Sequence, residues 1–171
     1  MINRIPRRII KIIISELINI LVVIAAGLFL CDLISGIIFL VEFISLRAFV
    51  GGFRSKSIFI NGILFLGIYF AVYYINYASA FIERELLSMF LTVLILLGII
   101  PVIALNSAQS KSEKHSQIYR MIGIAEFILI SITALALHYG GIEYGSFMII
   151  TLAAFSVLIL FEIFKSGRKT Q

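Results

Sequence analysis

The stretch IIKIIISELINILVVIAAGLFLCDLISGIIFLVEFISLRAFVGGFRSK, residues 9–56, decides the fold. From Ile9 to Leu46 it is apolar almost without pause. A bilayer core of ~30 Å is crossed by about 20 helical residues, so this run is too long for one span and about right for two. Gly27 and the pair Cys31-Asp32 interrupt it, which predicts a tight helical hairpin with arms at 9–28 and 31–47. Arg4, Arg7, Arg8 and Lys11 lie at its start, and Arg47, Arg54 and Lys56 follow its end.

Working outward, the same alternation continues. Thirteen of the fourteen Lys and Arg residues fall in four windows, Arg4 to Lys11, Arg47 to Lys56, Lys111 to Arg120 and Lys165 to Lys169. Arg84 is the exception. Cytoplasmic loops of membrane proteins are enriched in Lys and Arg, so the windows are expected on one side. Further spans are predicted at 58–76, 86–105, 119–137 and 145–164, with Pro101 kinking or ending the fourth. Tyr73, Tyr74, Tyr77, Tyr139 and Tyr144 fall where the far interface would lie.

The expected fold is therefore all-α: a polytopic integral membrane protein of six transmembrane helices, both termini cytoplasmic, forming one domain over 1–171. Composition agrees, with 61% hydrophobic residues, 13% charged residues and a mean hydropathy of +1.13. A soluble domain is nearer ~45–50% apolar and ~25% charged. The net charge of +5 would suggest nucleic acid in a soluble chain. Beside apolar spans it reads as topology and contact with anionic lipid, with no nucleic-acid partner.

A single cysteine, Cys31, leaves no internal disulfide and reads as a small buried apolar residue. The basic start followed by an apolar run resembles a secretion signal, but apolar character persists to Leu46, so it is expected to stay as the first membrane segment. Glu16, Glu42, Asn61, Glu126 and Glu162 fall within or near spans. Ionisable groups in lipid face a cavity or a partner. Glu42 stands five residues before Arg47, which predicts an ion pair, and it precedes the most unusual loop, Arg47 to Ser57. There Gly51-Gly52 frees the backbone for a sharp turn or a re-entrant segment lining a cleft. No metal or cofactor site is expected. Gly62 and Gly67 permit close helix packing, which allows a homodimer but does not specify one.

At this loop the chain resembles the accessory gene regulator B (AgrB) family, six-span membrane cysteine endopeptidases of Gram-positive bacteria that trim a short precursor to a cyclic quorum-sensing peptide. The family pattern runs Arg, three residues, Gly-Gly, one residue, His, then Cys seven residues later. Arg47, Gly51 and Gly52 stand in register, and Pro101 followed by the Lys-containing stretch 106–114 also resembles the family. The resemblance implies the bacterial plasma membrane as the location. It also implies a partner, a short amphipathic precursor peptide with an acidic tail.

The catalytic pair is not carried over. Arg54 holds the position of the His and Asn61 that of the Cys. Arginine stays protonated and cannot act as a general base, and an amide is not among the side chains that form covalent intermediates. Cys31 is expected near the opposite membrane face, His115 has no cysteine beside it, and Ser55 and Ser57 have no base.

The expected function is then an AgrB-like protein that binds or presents a precursor peptide without cysteine-protease chemistry. Candidate peptide-binding residues are Arg47, Gly51, Gly52, Arg54, Lys56, Asn61, Glu42, Lys111 and Lys114. One alternative is an active peptidase whose dyad is exchanged in this chain. Another, from a different class, is a small transporter subunit or substrate-binding membrane component with a central site near Glu42 or Glu126.

Overall fold

A computed structural model describes residues 7–30, 32–49, 58–79, 81–82, 84–108 and 114–167. The described residues form six helices and no strand: α1 (Arg7–Phe29), α2 (Leu33–Phe49), α3 (Ile58–Ser79), α4 (Arg84–Ala108), α5 (Lys114–Tyr139) and α6 (Tyr144–Gly167). Four of them contain stretches long and apolar enough to cross a membrane: Phe59–Ser79, Glu85–Ile103, Met121–Tyr139 and Tyr144–Phe161. These are the spans expected at 58–76, 86–105, 119–137 and 145–164. Pro101 does not end α4, which continues through it to Ala108.

The chain changes direction by local hydrogen bonding. Asp32 caps α2: its Oδ1 accepts from the Ser35 amide at 3.1 Å, the bond expected between an N-cap and the third helical residue. At the end of α5, Gly141 adopts φ 79°, the left-handed region that suits glycine. Around it the Ile142 amide donates to the Leu137 carbonyl at 2.9 Å and the Gly141 amide to the His138 carbonyl at 3.1 Å. That pair of bonds is the Schellman arrangement, which satisfies carbonyls a helix end would otherwise orphan.

α6 is the central helix, packing on α2, α3, α4 and α5, while α1 packs on α2 and α3. The core is aromatic where α2, α3 and α6 meet. Phe43 sits edge-on to both Phe65 and Phe155, with ring centres 4.9 and 5.5 Å away, and Phe39 packs on Phe65 and Tyr69. Edge-to-face pairs of this kind add about 0.5–1.5 kcal/mol beyond the area they bury. Outside the core, large apolar side chains are exposed along every helix, Leu21, Val41, Ile63, Leu96, Leu129 and Phe161 among them. A surface of this size and apolarity suits lipid and would be an association liability in water.

α1 and α2 approach each other at two glycines: a Cβ on Gly27 would press on the Asp32 carbonyl oxygen at 3.3 Å, while one on Gly36 would lie 3.7 Å from the Val23 carbonyl oxygen and 3.8 Å from the Gly27 Cα, ordinary contact distances. The Tyr69 hydroxyl lies 3.5 Å from that position and 3.6 Å from the one on Gly27. Gly27 is two residues from the end of α1, whereas Tyr69 is ten residues from the end of α3. At 1.5 Å per residue α3 runs ~15 Å past Tyr69. The tip of the α1–α2 hairpin therefore stops on the order of 10 Å short of the end of α3. That tip is apolar and open, with Phe29 84% and Leu28 61% exposed.

Candidate functional site

The basic windows bracket one end of the bundle, where α1, α3 and α5 begin and α2, α4 and α6 finish. Arg47, two residues from the end of α2, is only 5% exposed. Its Nη2 donates to the Asn61 Oδ1 at 2.8 Å, and its Nη1 lies 3.4 Å from the Glu16 Oε1. The other carboxylate oxygen of Glu16 accepts from the Asn19 Nδ2 at 3.3 Å. One guanidinium thus ties α1, α2 and α3 together through a half-buried acid and two amides. Its planar fork of donors suits a site where a charge must be neutralised and several acceptors met at once.

The pair expected between Glu42 and Arg47 is not formed. Five residues on a helix turn through about 500°, which leaves the two side chains on different faces, and Glu16 on α1 takes the arginine instead. Glu42 is 3% exposed, and neither of its carboxylate oxygens has a hydrogen-bond partner. Three further buried atoms are unmet: the Asn19 Oδ1, the Tyr69 hydroxyl and one oxygen of Glu126. Unpartnered buried polar atoms are rare and call for a ligand, a proton or a role.

Of the residues expected at the site, the structure joins Arg47 and Asn61 directly and places Glu42 in the core, apart from that pair. Gly51, Gly52, Arg54, Lys56 and Lys111 lie outside the described residues, as does the side chain of Lys114, the first residue of α5. The side chains of His115 and Glu162 also lie outside them. Among the described residues no group of three or more His, Cys, Asp or Glu side chains could hold a metal ion.

Two groupings were not read from the sequence. Asn19 belongs to the Arg47 cluster, and a signal existed: Glu16 and Asn19, three apart in an apolar helix, share a face. The second is at the opposite end. The Ser88 Oγ on α4 and the His138 Nε2 on α5 are 2.9 Å apart, and the Thr92 and Tyr139 hydroxyls are 3.2 Å apart beside them. Ser88 and His138 are fifty positions apart in the chain, and no local pattern announces their meeting.

What the arrangement can do chemically is limited by Asn61. The position that the AgrB resemblance assigns to the nucleophile is 5% exposed, and its oxygen is bound to a guanidinium. No family model, curated protein or solved structure matches the chain.

Proposed function

We propose that this chain is a multi-pass protein of a bacterial plasma membrane that binds a short amphipathic peptide with an acidic tail at its basic face and does not cleave it. The observation that carries the reading is the Arg47–Asn61 bond. It supports an AgrB-like scaffold in which the nucleophile's position has become part of a buried clamp. The clamp fixes the end of α2 and the start of α3, the two edges of the Gly51-Gly52 loop. Arg54, Lys56, Lys111 and Lys114 supply positive charge at that face, and long-range attraction draws an acidic tail to it.

In this reading the basic face is cytoplasmic. α3 to α6 cross the bilayer, supported by their length and apolarity. The α1–α2 hairpin enters from the basic face and returns to it, its apolar tip inside the hydrocarbon. The Asp32 cap and the bond from its amide to the Gly27 carbonyl meet polar groups of the turn, as backbone at that depth requires. A six-span arrangement, with the tip at the far interface, is the competing topology.

The experiment is photocrosslinking of a synthetic amphipathic peptide with an acidic tail to the protein in phosphatidylcholine vesicles. Crosslinking is expected at low salt, is lost at high salt, and falls in a Lys111→Glu, Lys114→Glu variant. The peptide stays intact. Absence of crosslinking at low salt removes the reading, and cleavage by the unaltered chain shows an active peptidase instead. Restored chemistry in an Arg54→His, Asn61→Cys chain would mark an inherited catalytic cleft.

The unmet carboxylate oxygens of Glu42 and Glu126 favour a second reading, a small transporter component with a cation-binding carboxylate inside the bundle. It expects vesicles to accumulate a cationic substrate, and Glu42→Gln to abolish uptake while leaving peptide crosslinking unchanged.

A further inference from the structure

Away from the basic face, α3 and α4 each pack on α6 but not along one another, although only residues 80–83 join them. Between them lies a cleft of about 410 Å³, with Leu91, Ile150 and Ala154 in its lining and the exposed side chains of Ile75, Phe90 and Val157 at its rim. The volume is within the ~300–1,000 Å³ range of small-molecule sites. It follows α4 from Leu87 to Leu94 and α6 from Ile150 to Val157, about 10 Å along each helix. Val157 is thirteen residues from the start of α6, roughly 20 Å. The cleft thus reaches from one end of the helices to about the middle of a ~30 Å core, which is the depth of one leaflet.

The cleft itself is almost wholly apolar, but Ser79, Ile82 and Leu87 also line a second, more polar recess of about 210 Å³, which adds His138, Glu143 and Ser146. An adjoining hollow carries Glu85, Ser88 and Tyr139. The Ser88–His138 bond stands at this junction. Among the described lining residues there is no Lys or Arg, whereas Glu85 and Glu143 are both exposed. An anionic head here would face two carboxylates. A hydroxyl or ammonium head would find acceptors in them, and backbone and serine oxygens besides.

We propose that this continuous cleft binds a single-chain amphiphile of the leaflet opposite the basic face, its tail between α3, α4 and α6 and its uncharged or amine-bearing head beside His138 and Glu143. The site stands independently of the peptide reading, which concerns the other end of the bundle.

The test uses the full chain in phosphatidylcholine vesicles with trace diazirine-bearing fatty alcohol, fatty amine or fatty acid, assayed at alkaline pH so that the acid is ionised. Labelled residues are mapped by mass spectrometry. The alcohol and amine are expected to label 87–94 and 150–157 about five-fold more than the lipid-facing side of α5, a preference of roughly 1 kcal/mol. Excess unlabelled hexadecylamine suppresses that labelling saturably, and the acid labels the cleft weakly. Ala154→Trp, which fills the cleft, removes the preference without changing labelling of α5. Equal labelling of all lipid-facing helices with no saturation means annular contact only and overturns the proposal. Labelling by the acid as strong as by the amine overturns the head assignment. The saturation arm uses the unaltered chain, so the proposal stays testable if the tryptophan variant does not fold.

Discussion

Glu16→Ala takes an acidic partner from Arg47, and the size of the effect follows from where that arginine sits. The guanidinium is 5% exposed, with one acidic oxygen at 3.4 Å and one amide oxygen at 2.8 Å. Coulomb attraction at that separation is about 5 kcal/mol at an effective dielectric of 20. Removing one partner from a buried ion pair costs about 3–5 kcal/mol in soluble proteins. Three features reduce this here, the first being that Glu16 is itself 22% exposed. The Asn61 bond remains, and Arg47 lies two residues from the end of α2, where a long side chain can extend towards the interface. The expected loss is therefore about 2–3 kcal/mol, below the full cost of an uncompensated buried charge. The double variant Glu16→Leu, Arg47→Met removes both charges together and is expected within about 1 kcal/mol of the parent. The assay is reversible unfolding in mixed micelles, or steric trapping in bicelles, on the full chain. A loss below about 0.5 kcal/mol for Glu16→Ala, or a double variant no better than the single, would refute the clamp as the device holding α1 to α2 and α3.

Four further outcomes follow from particular contacts. Asn61→Ala removes one interhelical hydrogen bond and is expected to cost about 1 kcal/mol by the same unfolding assay, less than Glu16→Ala, because no charge loses its counter-ion. Gly145→Ala would drive a Cβ into the His138 backbone nitrogen, which cannot move aside; it should exceed the ~1–3 kcal/mol of ordinary overpacking and lower folded yield, whereas Gly67→Ala, with nothing within 4 Å, should be neutral or stabilising by up to about 1 kcal/mol. Gly98→Ala falls between them, since the Ser156 Oγ it would meet at 2.7 Å can rotate away at the loss of its bonds to the Gly98 and Leu152 carbonyls. In a Cys31→Ser background, Phe29→Cys is expected to resist a membrane-impermeant maleimide from either side while Tyr77→Cys reacts from one; rapid labelling of position 29 from the Tyr77 side would place the hairpin tip at the far interface and favour six spans.

Why the sequence disclosed so much of one level and so little of the next is a matter of range. Apolar runs, glycine breaks and charge windows are local. The bilayer-length rule turns them into elements without knowledge of neighbours, so the turns near Gly27 to Asp32 and His138 to Tyr144 and the four long apolar helices could be read directly. Lengths alone did not reveal how far along α3 the first hairpin reaches, since α1 has 23 residues and α3 has 22. That depends on the level at which α1 and α2 dock, set by Gly27 and Gly36 meeting Tyr69. Partnership was equally invisible. Glu42 is nearer to Arg47 in sequence, yet Glu16 takes it, because helix geometry sends residues five apart to different faces and packing brings α1 alongside. Residue order alone set an apolar helical chain whose Lys and Arg, Arg84 apart, gather in four windows between apolar runs, because burial of apolar length and the placement of charge require no tertiary contact. Only the tertiary structure decided that Asn61 is clamped, that Glu42 stands without a partner and that Ser88 meets His138, because each depends on which helix faces which, and at what depth.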